Sequence, residues 1–148
     1  MRPYSRVYAT VNLDAVASNM RSMRDNLPAS TLIMGSVKAD GYGHGSVPVA
    51  KTIEPSVFGY AVATIDEGII LRRHGINKTI LILGVTHESR YEDLLRYDIR
   101  TAMFQYEKAK KLSDLALKQG KKAVVHLALD TGMSRIGMKA DREHAKEA

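Results

Sequence analysis

Apolar residues along this chain come in blocks separated by amphipathic stretches. Five strand-like runs stand out: "TLIMGSV" (31–37), "VFGYAVA" (57–63), "TILILGV" (79–85), "IRTAMF" (99–104) and "AVVHLALD" (123–130). They are apolar throughout rather than alternating, as expected for parallel strands buried on both faces. Between them lie patterns with helical spacing. "DAVASNMRSMRDNL" precedes the first run, with Asp14 as the expected N-cap and Val16, Met20, Met23 and Leu27 on one face. "TIDEGIILRRHG" follows the second run, with Thr64 and Glu67 spaced as a capping box and Gly75 as the stop signal. "ESRYEDLLRYD" follows the third run, and "QYEKAKKLSDLALKQG", closed by Gly120, follows the fourth.

The runs start at 31, 57, 79, 99 and 123, a recurrence of 20 to 26 residues that matches successive βα units. The pattern predicts an α/β fold and leaves two architectures open, a doubly wound open sheet or a (β/α)8 TIM-type barrel. A complete barrel needs about 250 residues. The tail "MKADREHAKEA" looks like the opening of a further helix with no strand after it. On the barrel reading, residues 1–148 hold only about the first five βα units.

Composition narrows the function classes. The chain has no run of about 18 apolar residues, so no membrane span is expected. Its first residues, "MRPYSRVYATVNLD", lack the apolar stretch of a signal peptide. Cysteine is absent, which removes disulfides and thiolate metal sites and points to the cytoplasm. The net charge of +6 is spread along the chain. Its densest basic run, "EKAKKLSDLALKQGKK", has no interleaved aromatics, so a solvated helix face is expected rather than a nucleic-acid surface. Within it, Glu107–Lys111 and Asp114–Lys118 have the spacing of helical ion pairs.

Active sites of parallel α/β folds gather at the C-terminal ends of the strands. Two polar clusters fall there: "KADGYGHG" after the first run and "DTGMSRIG" after the fifth. A lysine at the end of a buried strand is partly desolvated, which frees its amine as a nucleophile toward carbonyl groups. Lys38 is therefore either a catalytic amine beside an anion-binding loop or a surface group beside a turn. Gly41, Gly43 and Gly45 allow a ligand to approach the backbone, and the Tyr42 hydroxyl could reach a phosphate. The spacing is neither a Walker A loop nor a dinucleotide fingerprint. Arg135, on a glycine-flanked loop, suits carboxylate or phenolate recognition, or a surface ion pair. The five histidines show no metal-binding spacing: His74 and His87 sit beside turns, and His126 falls within a strand.

Taken together, "VKADGYGHG" and "LDTGMSRIG" resemble the bacterial alanine racemase family, as do "VNLDAVASNM" and "TILILG". That resemblance implies a pyridoxal 5'-phosphate enzyme with an N-terminal (β/α)8 barrel, and this chain covers about the first two-fifths of the full-length enzyme. It implies that Lys38 carries the cofactor as a Schiff base and is one of two catalytic bases, the one acting on the D-enantiomer. It also implies that Tyr42 binds the cofactor phosphate and that Leu81 and Leu83 line the ring's pocket. Arg135 is expected to contact the cofactor's phenolic oxygen and the substrate carboxylate. The expected reaction interconverts L- and D-alanine, supplying D-alanine for peptidoglycan, in a homodimer.

Two points depart from or exceed the chain. Many family members carry a carbamylated lysine where this sequence has Ala128. Either a small anion such as chloride takes the space, or the pocket admits other amino acids such as serine or lysine. The family's opposite-face tyrosine base, the arginine facing the pyridine nitrogen and most phosphate-binding backbone groups lie in later sequence, including a C-terminal β domain. The 148 residues alone are therefore expected to be inactive, and a non-catalytic cofactor-binding half-barrel is the remaining alternative.

Overall fold

A computed structural model describes residues 7–147. The signal-peptide reading rests partly on residues 1–6, which lie outside this range, as does Ala148. Five strands, β1 (Met34–Ser36), β2 (Gly59–Val62), β3 (Thr79–Ile82), β4 (Arg100–Met103) and β5 (Val125–Leu127), form one sheet. The sheet is parallel throughout, and its order is simply β1-β2-β3-β4-β5. That order decides between the two architectures left open by the sequence. A doubly wound sheet reverses direction at a switch point, whereas a barrel adds each strand beside the last.

The helices are α1 (Leu13–Asp25), α2 (Ser46–Ile53), α3 (Ile65–Arg73), α4 (Tyr91–Tyr97), α5 (Tyr106–Lys118) and α6 (Arg142–Glu147). The first five pack on one face of the sheet. Tyr60, Val62, Ile80 and Ile82 point into that layer, and all four are fully buried among Ala50, Leu71, Leu94 and Leu112. Because strand side chains alternate, Ser36, Ala61 and Leu81 face the opposite, helix-free side. The Tyr60 hydroxyl donates to the Ala50 carbonyl at 2.7 Å, and burial raises its pKa well above the usual phenol value.

Several local expectations are corrected. Asn12, not Asp14, caps α1: its side chain accepts from the Ala15 amide at 3.0 Å. On that helix Met20 is buried and Val16 packs on the core, but Met23 is exposed, as is Leu27, which lies beyond the helix end at Asp25. Helix α2 was not expected, since Pro48 and the preceding glycines mask its apolar spacing. The fifth run splits at Ala128, whose N–H donates to Met103 while its carbonyl accepts from Met138. Leu129–Asp130 (β6) then pairs with Met138–Lys139 (β7) in a separate two-stranded ladder. The ion pairs also differ: Asp114 binds Lys110 at 2.9 Å, and Lys111 reaches back to Glu88 of the preceding unit at 2.8 Å. Gly75 and Gly120 do end their helices in the left-handed conformation, with φ of 86° and 62°.

Candidate functional site

Strand β1 ends at Ser36, and extended geometry stops at Val37 (φ −123°, ψ 19°). The segment Lys38–Tyr42 then coils the other way. Ala39, Asp40, Gly41, Tyr42 and Gly43 all have positive φ, between 50° and 83°. Left-handed helical geometry costs about 1–2 kcal/mol for each non-glycine residue, hence about 3–6 kcal/mol for Ala39, Asp40 and Tyr42. Gly41 is required at the centre of the turn. A Cβ there would sit 3.2 Å from the Ser46 amide nitrogen in an already left-handed residue.

Two carboxylates offset that cost. Asp40 Oδ1 accepts from the Ser46 amide at 2.8 Å, capping α2 where Gly45 offers no side chain. Glu67 Oε1 accepts from the Ala39 amide at 2.9 Å, while its Oε2 accepts from the Ala63 amide at 2.7 Å. Hydrogen bonds to charged groups contribute about 1.5–3 kcal/mol each, so these bonds match the strain in size. His44 adds a staple. Its Nδ1 lies 3.1 Å from the Gly41 carbonyl and 3.2 Å from the Tyr42 carbonyl, so that nitrogen carries the proton and donates.

Six amides of the turn are already engaged within the fold. The amides of Gly41, Gly43, His44 and Gly45 donate to carbonyls within the segment, to Val37, Ala39, Gly41 and Asp40 respectively. Those of Ala39 and Ser46 are taken by the two carboxylates. What the turn presents outward is side-chain chemistry. Tyr42 is 59% exposed, its hydroxyl lies 3.2 Å from Ser36 Oγ, and the Lys38 ammonium sits 5.9 Å from its ring centre. Lys38, Ser36 and Tyr42 therefore form one cluster at the C-terminal end of β1.

Leu81 and Leu83 lie two strands away and two residues apart, so they share the helix-free side. Leu81 pairs in register with Ala61 and is buried, while Leu83 is 38% exposed beyond the strand end. Arg135 stands on the exposed loop between β6 and β7, which Asp130 organises by accepting from the Gly132 and Ser134 amides at 2.9 Å each. Those amides, Ser134 first and then Gly132, hold the Asp130 carboxyl below the usual carboxylate range. Lys38 follows β1 and Arg135 lies beyond β5, and these strands are opposite edges of the sheet. Among the described residues Arg135 makes no salt bridge, so the surface ion pair allowed by the sequence is not formed. A groove of about 680 Å³ opens elsewhere, lined by Phe104, Tyr106, Leu127, Met138 and His144. Among the described residues no cluster of His, Asp or Glu is arranged to hold a metal ion.

Sequence reasoning missed Ser36 and His44 as partners of the turn. Glu67 was visible as half of a capping box, but its expected partner was wrong. Thr64 Oγ1 does accept from the Glu67 amide at 3.3 Å, yet the Glu67 carboxylate reaches past Thr64 to Ala63 and Ala39.

With this geometry in place, similarity to known proteins becomes informative. The family described as "Alanine racemase, N-terminal domain" matches residues 11–148. An alanine racemase of Clostridium novyi (strain NT) is 46% identical over 132 residues, 88% of this chain and 34% of that protein. One of Desulforamulus reducens is 39% identical over 142 residues, 95% of this chain and 38% of that protein. The solved alanine racemase of Clostridium difficile 630 superposes with a TM-score of 0.90 at 40% identity, over 93% of this chain and 36% of that one. The chain thus spans well under half the length of its relatives, and its five-stranded sheet is the N-terminal part of a TIM-type α/β barrel. The chain belongs to the alanine racemase N-terminal domain family.

Proposed function

We propose that residues 1–148 are the N-terminal portion of a cytoplasmic, homodimeric alanine racemase dependent on pyridoxal 5'-phosphate, making D-alanine for peptidoglycan. The observation that carries this reading is the cluster at the end of β1, where a lysine amine stands beside an exposed phenol on a rigid turn. The donor set fits the cofactor: an amine for its aldehyde, the apolar Leu81 and Leu83 for its ring, and the Tyr42 hydroxyl for its phosphate. When bound, the cofactor supplies an electron sink for the charge left by the departing α-proton.

Lys38 Nζ holds or returns that proton on one face of the substrate, and Tyr42 orients the phosphate end. Arg135, free of any ion pair among the described residues, has its five donors available for the cofactor's phenolic oxygen and the substrate carboxylate. The second base, needed on the opposite face to invert the configuration, is a tyrosine from the C-terminal β domain of a partner subunit. The remainder of the barrel and that domain complete the site.

The test uses the full-length protein. Borohydride reduction in the presence of the cofactor should fix the label on the peptide carrying Lys38, and Lys38→Ala should lower racemisation of alanine about 100- to 10,000-fold. A label elsewhere, or a normal rate without Lys38, overturns the reading. Ala128 supports a second reading, a broader amino-acid racemase, because a small residue stands where many relatives have a lysine. Comparable kcat/KM for alanine, serine and lysine would establish that breadth, and a strong preference for alanine would reject it.

A further inference from the structure

We propose that Glu67 is a positioning residue for Lys38, clamping the left-handed turn to the end of the neighbouring strand. The inference rests on the role given above to Lys38. Glu67 sits in the first turn of α3, in the βα unit after the one that bears the lysine. Its carboxylate joins two amides 24 residues apart in sequence: Ala63, just beyond the end of β2, and Ala39, directly after Lys38.

A glutamate at this helical position normally turns back to the N-cap amide, closing a capping box with Thr64. Here only the Thr64 half of that box forms. The carboxylate has been taken from a local use and given to a tertiary one, and such a departure from a local rule marks a site under functional constraint. The geometry also fits the need. Lys38 is at the last right-handed residue before five with positive φ, so a small rotation at Ala39 swings the amine away from the Tyr42 ring. The Ala39 amide, directly after the lysine, is tied to the neighbouring βα unit by a side chain. One residue earlier, the Val37 amide donates to Ala61. The lysine is thus gripped on both sides from the second βα unit.

The clamp separates experimentally from ordinary helix capping. In the full-length protein, Glu67→Ala should speed amide hydrogen exchange at Ala39 and Ala63 at least tenfold while leaving Ile80 in β3 unchanged. Glu67→Gln, which keeps two side-chain positions but loses the charge, should fall between Ala and wild type. For racemisation of alanine, both variants should lower kcat about 10- to 100-fold with KM little changed, in the same order. Thr64→Ala removes the cap but not the clamp, so it should leave Ala39 exchange and kcat near wild type. The proposal fails if Ala39 exchange is unmoved in Glu67→Ala, or if Thr64→Ala costs as much kcat as Glu67→Ala. Exchange is read without cofactor or substrate, so an accelerated Ala39 beside an inactive or differently active wild-type protein would sink the racemase reading and leave the clamp standing.

Discussion

Arg72 offers the sharpest test of what holds this sheet together. Its side chain leaves α3 at the N-terminal end of the strands and donates to four backbone carbonyls in two connections. Nε reaches Tyr97 at 2.8 Å, Nη1 reaches Ile76 and Lys78 at 2.7 Å each, and Nη2 reaches Asp98 at 2.7 Å. Burial pulls its pKa below the usual guanidinium value, with Asp98 acting in the opposite direction, but it stays charged. Bonds to a charged donor contribute about 1.5–3 kcal/mol each, so a plain sum would give about 6–12 kcal/mol. That sum overstates the effect, because the group is only half-buried and water can reach part of the vacated rim. Arg72→Met is expected to lose about 2–4 kcal/mol, since the aliphatic stem still packs and only the polar contacts go. Arg72→Lys should lose about half as much, because three donors on one nitrogen cannot serve four carbonyls spread over two connections. Urea unfolding followed by circular dichroism measures both, with the slope unchanged. A loss under about 0.5 kcal/mol in Arg72→Met would show that water replaces these bonds without penalty, and the reasoning would be wrong.

Two further outcomes are expected. Gly59→Ala places a Cβ 2.5 Å from the Thr79 carbonyl oxygen and 2.9 Å from Thr79 Cβ. Because that neighbour is strand backbone, the β2–β3 pairing must shift, and a loss of about 2–3 kcal/mol should appear in the same urea assay. Asp130 supplies a pH dependence: its folded pKa is lowered, so its contribution is present above the unfolded value of about 3.9 and is lost as pH falls through the folded value. The Gly132 and Ser134 amide resonances should therefore titrate together below about pH 4 and become flat in Asp130→Asn; a midpoint at or above the ordinary carboxylate value would contradict the loop geometry.

The alternation of helices and strands was legible because parallel strands buried on both faces leave uninterrupted apolar runs. Ile80, Leu81 and Ile82 are all buried, on alternating faces, so no period-2 pattern could show. Strand order was not legible, because a doubly wound sheet and a barrel draw on the same runs. Lys38 and Tyr42 were legible as a pair because four residues along one turn bring them together whichever way the turn winds. Its left-handed sense was not, since Ala39 and Asp40 carry no preference for positive φ. Equally hidden were Asn12 as the cap and the helix at Ser46–Ile53. Arg72 and Glu67 lay beyond the sequence for one reason: their partners are 25 and 28 residues away and meet them only once the βα units are in register.

The two rims of the sheet are held by groups of opposite hydrogen-bonding character, donors at one and acceptors at the other, and this follows from the direction of the helices. In a βα unit every helix C-terminus, with its free carbonyls, lies at the start of the next strand, and every N-terminus, with its free amides, lies at the end of the last one. Cations accordingly tie the connections that feed β1 to β4. Arg24 binds the Leu27, Pro28 and Thr31 carbonyls, and Lys78 binds those of Glu54 and Val57. Arg72 follows as above, and Lys121 reaches Leu95. At the opposite rim the tying groups are acceptors: Glu67, Asp40, His87 and Asp130, each on backbone amides. The consequence for the site is specific. Carboxylates already engage the Ala39 and Ser46 amides at the end of β1, and carbonyls of the same segment engage those of Gly41, Gly43, His44 and Gly45. On the function proposed above, this turn then offers an anionic ligand side-chain chemistry, the Tyr42 hydroxyl, rather than the amides already engaged. Tyr42→Phe should weaken its affinity more than any glycine substitution that preserves the turn.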